Sequence, residues 1–152
     1  MAYSLVELGT RQEVEDAVIR LFVATDEREW ATLESCFSNP FLLDMTSLVG
    51  GQPSKMKPSE ISAAWANGFK PLDQVHHQVG NFQTSFSGDS ATVQCYGVAF
   101  HHRANISTAL RTRVFVGTYS FELSKAGGQW LVTHMKFSLK FVDGNLELEK
   151  SV

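Results

Sequence analysis

Basic residues are few and scattered in this chain. Lys and Arg total 13 against 16 Asp and Glu, the formal net charge is −3, and cations cluster nowhere along the sequence. That excludes nucleic acid as a general partner, because a phosphate backbone is held by a concentrated positive patch. Long apolar runs are missing too. No stretch approaches the ~18 residues that cross a bilayer, so no membrane partner is expected. Cys36 and Cys95 are the only two cysteines, too few for a disulfide framework. The segment from Met1 to Arg11 has no basic stretch followed by an apolar one. No secretory signal is read there, and the cytoplasm is the expected location. Metal-chelating spacings such as His-x-His or Cys-x-x-Cys are absent, and the adjacent pairs His76-His77 and His101-His102 would point apart on a strand. No metal is expected. A glycine-rich phosphate loop, a flavin or nucleotide fingerprint and a Ser-His-Asp arrangement are also missing, so the expected cofactor is none.

What the chain does have is apolar bulk. At 152 residues it suits one domain, residues 1–152 with a core over about 10–142, and roughly two thirds of the unfolded surface can be buried at that size. Eleven residues are Phe, against three Trp and three Tyr. Such an excess suits an apolar cavity lining as well as a core.

The first half reads helical. Val14, Ala17, Val18, Leu21 and Phe22 recur at helical spacing and predict a helix from about Arg11 to Ala24. Asp26-x-x-Glu29 has the form of a capping box opening a second, short helix that buries Trp30, Leu33 and Phe37 and stops at Asn39-Pro40. Phe41 to Met45 reads as a short strand and Val49 to Lys55 as a loop or hairpin. Pro58 opens a third helix, with Ile61, Ala64, Trp65 and Phe69 on its buried stripe. After Pro71 the period changes to two. Val75–Phe86, Ala91–His102, Leu110–Leu123 and Trp130–Phe141 are four long candidate strands joined by turns at Ser87-Gly88-Asp89 and Lys125-Ala126-Gly127-Gly128 and a polar loop from Arg103 to Thr108. Gly80, Gly97 and Gly117 fall inside strands, where glycine marks a bulge or a close approach. Helices followed by long meandering strands make an α+β order.

That ordered set resembles the NTF2-like superfamily, and within it the SnoaL-like branch that includes scytalone dehydratase. The matching segments are Thr25-Asp26-Glu27-Arg28-Glu29-Trp30, Leu42-Leu43-Asp44, Val75-His76-His77-Gln78-Val79-Gly80-Asn81, Val98-Ala99-Phe100-His101-His102 and Gly127-Gly128-Gln129-Trp130. They span roughly residues 10–142. The resemblance implies a cone: three N-terminal helices packed in a curved antiparallel or mixed sheet, around a pocket for a small apolar, cyclic molecule. It also implies that His77 and His101 are the two pocket histidines and that Asp26 pairs with the second of them. Two tyrosines that hold a water in the dehydratase fall on Thr25 and Met45, and its strand Asn falls near Thr118 or Tyr119.

Strand parity bears on the same residues. Val93, Cys95, Gly97, Ala99 and His101 share one face, and Tyr96, Val98, Phe100 and His102 the other. On the preceding strand Val75, His77, Val79 and Asn81 fall together, and on the last strand His134 falls with Trp130 and Lys136, read as a surface or dimer face. The candidate catalytic residues are therefore Asp26, His77 and His101, with Phe22, Asp44, Trp65, Phe69 and Tyr119 as substrate-binding candidates. A histidine beside a carboxylate in an apolar cavity suits acid–base chemistry near neutral pH. Dehydration, isomerisation or cyclisation of a small carbonyl compound is the expected activity. Each residue also has a plainer use: Asp26 as a helix cap, the histidines and aromatics as core, Asp44 as a strand end. A non-catalytic ligand-binding domain therefore stays open. So does an interaction module, a homodimer through the exposed sheet face carrying Tyr96, Phe100 and His102.

Overall fold

The computed structural model describes residues 2–152. Helix α1 runs from Leu5 to Asp26, two turns longer at its start than the apolar stripe implies. The cause is a capping box at Ser4: its hydroxyl accepts the Glu7 amide at 3.2 Å, and the Glu7 carboxylate accepts the Ser4 amide at 2.7 Å. Val14, Val18, Leu21 and Phe22 are the buried stripe. After α1 the chain reverses at Arg28, which takes a left-handed φ of 58°, and α2 begins only at Trp30 and ends at Ser35. Asp26 thus closes the first helix and does not cap the second. Its carboxylate is engaged elsewhere.

Strand β1 covers Phe37–Asp44 and includes Pro40. It starts four residues before the expected strand, so Phe37 belongs to it rather than to α2. A single turn, α3, spans Thr46–Val49. β2, Ser54–Met56, then folds back on β1, with Phe41 paired to Met56. Gly50 to Pro53 remain irregular, as read from the sequence, while α3 precedes them and β2 takes in Ser54 and Lys55. Helix α4 follows over Pro58–Gly68, with Pro58 in its first turn. The long strands are β3 (Gln74–Ser87), β4 (Ser90–His102), β5 (Thr112–Ala126) and β6 (Gln129–Gly144). A 3-10 turn at Leu148–Lys150 ends the ordered elements.

The six strands lie in the order β2-β1-β6-β5-β4-β3. β1 runs parallel to β6 and every other pair is antiparallel, so the sheet is mixed. α1 lies along the concave face. The core contains Leu21, Leu33, Val93, Phe121, Val132 and Phe137, and truncating a fully buried Leu such as Leu21 to Ala would cost about 2–5 kcal/mol. Gly97 and Gly117 serve the curvature by allowing close approach. A Cβ on Gly97 would sit 2.2 Å from Cε2 of Tyr119, and one on Gly117 would sit 2.5 Å from the Phe137 ring. Near Gly80 the function is a bulge. Between Gly80 and Gln83 the register with β4 shifts by one residue, and Asn81 takes φ 54°. The shift overturns the expected face for Asn81, which is exposed, while Phe82 turns inward. A second shift, between Glu122 and Leu123 against β6, separates Trp130 from His134. Trp130 is buried, and His134 lies on the outer side with Lys136.

The core also extends past the expected limit near residue 142. Leu148 is completely buried in a satellite cluster with Leu72, Val75 and Ile106. Arg103 holds this C-terminal segment by its backbone, donating from Nη1 to the carbonyls of Leu148, Glu149 and Ser151 at 2.9, 3.2 and 2.8 Å.

Candidate active site

A cavity of about 350 Å³ opens between α1, α4 and the concave face of the sheet. Its wall is almost wholly apolar. Phe22, Trp65, Phe69 and Phe115 supply much of it, and His77, His101, Tyr119 and Thr25 bring the polar atoms. Four of the five residues expected to bind substrate, namely Phe22, Trp65, Phe69 and Tyr119, therefore face the cavity. Asp44 does not. It is buried at the end of β1, where Oδ1 accepts both the amide and the hydroxyl of Thr46, at 3.0 and 2.6 Å. Those bonds, together with Lys136 nearby, hold its carboxyl below the usual range. The expected pocket role is thus replaced by an Asx turn that starts α3.

Of the three residues expected to carry chemistry, His77 and His101 line the cavity and Asp26 stands behind His77, so the pairing differs from expectation. Asp26 holds His77, not His101. Oδ1 of Asp26 lies 2.6 Å from Nδ1 of His77, and Oδ2 accepts the backbone N–H of His77 at 2.7 Å. Both carboxylate oxygens are spent on one residue of β3. Phe22 sits one turn before Asp26 on the same face of α1, and its ring packs 5.1 Å from the imidazole. The helix thus grips and buttresses His77 with two side chains. A carboxylate can only accept, so Nδ1 carries the proton in neutral His77, leaving a lone pair on Nε2.

His101 is held in the opposite sense. Its Nδ1 lies 3.2 Å from Nη2 of Arg113 on the neighbouring strand. A guanidinium can only donate, so Nδ1 accepts and the proton of neutral His101 sits on Nε2. The ring is wedged edge-on between Phe69 and Phe115, with centroids at 5.5 and 5.0 Å. Burial, then the cation of Arg113 and the neighbouring His77, push the His101 pKa down to about 4 against weaker pulls from Glu149 and Asp26. His101 is neutral at physiological pH.

Tyr119 lies flat over Gly97, its ring 4.8 Å from Phe22. Burial, with Cys95 and Asp26 nearby, raises its pKa, so the phenol stays protonated. Thr25 and Met45 both line the cavity. The Thr25 hydroxyl is committed to the Leu21 carbonyl at 2.8 Å. The sequence alone places neither Arg113 beside His101 nor Glu149 at the site. Arg113 was findable, since it shares inward parity with Phe115 and Tyr119, an unusual place for a cation. Glu149 follows the last strand and carried no periodic signal. No group of three or more His, Cys, Asp or Glu side chains is placed to hold a metal among the described residues.

The chain matches the SnoaL-like domain model over residues 6–136. No curated protein is a significant sequence match. Several solved structures share the fold. A protein from Kribbella flavida superposes with a TM-score of 0.87 at 20% identity, covering 94% of this chain and 99% of its own. A Novosphingobium aromaticivorans protein that carries the scytalone dehydratase name gives 0.78 at 13% identity, covering 91% and 89%. A hexachlorocyclohexane dehydrochlorinase from Novosphingobium barchaimii gives 0.72 at 15% identity, covering 91% and 92%.

Proposed function

This chain belongs to the SnoaL-like domain family, and on that footing we propose that it is a cofactor-independent lyase or isomerase acting on a small, uncharged, cyclic molecule. The observation that carries the reading is the opposite locking of two histidines at one apolar cavity. His77 offers a lone pair on Nε2 and His101 offers an Nε2–H donor.

In a β-elimination the two roles are complementary. His77 Nε2 takes a proton from a substrate carbon, and Asp26 stabilises the imidazolium that forms. The electron pair of the broken C–H bond becomes the new double bond, and the leaving group departs from the neighbouring carbon. His101 donates its Nε2–H hydrogen bond to that leaving group or to a carbonyl oxygen beside the acidic carbon, where negative charge grows. With a carbonyl substrate that keeps its oxygen, the same pair moves a proton between carbons and the outcome is isomerisation. Phe22, Trp65, Phe69 and Phe115 hold the ring and exclude water, and the Tyr119 phenol is a further donor. Among the described residues no Lys, Arg, Asp or Glu side chain lines the cavity, which favours neutral substrates. The dehydratase and dehydrochlorinase names among the structural neighbours fit an elimination of this kind.

The test is turnover across a panel of cyclic β-hydroxy ketones and polychlorinated cyclohexanes. Conversion that is lost in His77→Gln with retained substrate binding supports the reading. Tight binding of panel members without conversion by the wild type would overturn it in favour of a ligand-binding domain.

We also infer that the convex face of the sheet pairs with a second copy. Val98, Val116 and Phe141 form a cross-strand row there, beside the row of Phe100 and Val114. Phe141 is 55% exposed and Tyr96 53%. Such a contiguous apolar patch suits an isologous contact.

A further inference from the structure

Glu149, in the C-terminal segment, reaches Arg113 beside the site. Arg113 is 11% exposed, and its guanidinium stacks 4.9 Å over the Phe115 ring. Its Nη1 donates to Oε2 of Glu149 at 2.8 Å. Its Nη2 donates both to Oε1 of Glu149 and to Nδ1 of His101. The carboxylate thus clamps both ends of the guanidinium fork, and one shared nitrogen carries that geometry on to the imidazole. Burial disfavours charge on Glu149, but the bonds from Arg113 hold its carboxyl below the usual range.

From this arrangement we propose that Glu149 is a positioning residue: it fixes the Arg113 guanidinium against Nδ1 of His101 and so selects the tautomer that His101 presents to the cavity. The inference rests on the donor role given to His101 above. Without the carboxylate, a nearly buried cation would lose its counter-ion. Its other oxygen partner is the Leu146 carbonyl at 3.5 Å, too long to hold the fork. Arg113 would then turn from His101, and Nδ1 would be free to take the proton.

Other contacts hold the segment in place without this carboxylate. Leu148 is buried, Arg103 grips three backbone carbonyls, and the Asn145 amide donates to the Thr112 carbonyl at 3.0 Å. Glu149→Gln therefore removes the charge and leaves the segment docked.

The test is the side-chain ¹⁵N–¹H correlation spectrum of the histidines at pH 7.5, which distinguishes Nδ1–H from Nε2–H imidazole. In the wild type, His101 is expected as Nε2–H and His77 as Nδ1–H. In Glu149→Gln and Arg113→Met the His101 pattern is expected to move toward a mixture or to the Nδ1–H form, and Arg113→Lys, which keeps a cationic donor, to restore part of it. His77 should be unchanged throughout and so reports that the site is folded. On a substrate that turns over, Glu149→Gln should lower kcat about tenfold, the worth of roughly one hydrogen bond, with little change in KM. A wild-type His101 in the Nδ1–H form would overturn the proposal, as would a His101 pattern in Glu149→Gln identical to the wild type. The spectra need no substrate, so an elimination reading that fails on turnover leaves this test standing, and the reverse.

Discussion

His77 is bound twice by one carboxylate: Asp26 takes its ring Nδ1–H through Oδ1 and its backbone N–H through Oδ2, at 2.6 and 2.7 Å. The side-chain bond fixes the tautomer and the backbone bond fixes where β3 passes α1. Asp26→Asn keeps the size but offers one accepting oxygen in place of two. The expected result is a fall in kcat of roughly 10²-fold or more, the range for losing an oriented general base. A buried donor left unpaired should also lower stability by about 1–3 kcal/mol. Steady-state kinetics and urea denaturation check the two effects separately.

His101 should make the protein acid-sensitive. Its folded pKa is pushed down to about 4 from an ordinary 6.5. The unfolded chain therefore takes up the proton first. The stabilisation is complete above about pH 6.5 and is lost as pH falls toward 4. Between pH 7.5 and pH 5 this group alone should remove about 2 kcal/mol. His101→Gln cannot protonate, so its unfolding free energy should fall less steeply over that interval. Parallel denaturation curves for the two proteins across the interval would sink the prediction.

Gly97 is required by its neighbour rather than by its backbone. A Cβ there meets Cε2 and Cδ2 of Tyr119 at 2.2 and 2.6 Å. Gly97→Ala should displace the Tyr119 ring toward Phe22 and shrink the cavity. A loss of about 1–3 kcal/mol is expected, as for an overpacked core, together with weaker ligand binding. Gly97→Ala combined with Tyr119→Leu should recover part of the stability, which thermal melts would show.

Val116 faces outward between Val98 and Phe141. Val116→Glu places a charge in the centre of the proposed contact. Light scattering at micromolar concentration should show a dimer for the wild type and a monomer for the variant, with the fold intact by circular dichroism. A monomeric wild type would end that reading.

The fold was legible because its signals are periodic. Period two located β3 to β6 within a few residues, and helical spacing located α1 and α4. Parity placed His101 and His77 on inward faces, and the helix stripes placed Phe22 and Trp65 at the cavity. The errors arose where one residue competes for two partners. Asp26-x-x-Glu29 is a valid capping pattern in isolation, and only the approach of β3 shows that the carboxylate is taken by His77. The partner of His101 was hidden for a similar reason: Arg113 lies on another strand and Glu149 beyond the last one. Asn81 and Trp130 were misplaced because a one-residue register shift reverses parity without leaving a periodic trace in the sequence.

The shift at Asn81 divides β3 into two lengths that need not change together. Upstream, His77 meets Phe22 and Asp26 at the C-terminal end of α1; downstream, Thr84 bonds Glu15 nearer the middle of the helix, and Phe82 and Phe86 pack against the core. Deleting Asn81 would remove the extra residue and force one length to show its opposite face, so either His77 or Phe82 would leave the interior. Retaining it lets the two lengths be altered independently. Substitutions that retune the chemistry around His77 can accumulate on the first, while the second keeps its packing against the helix.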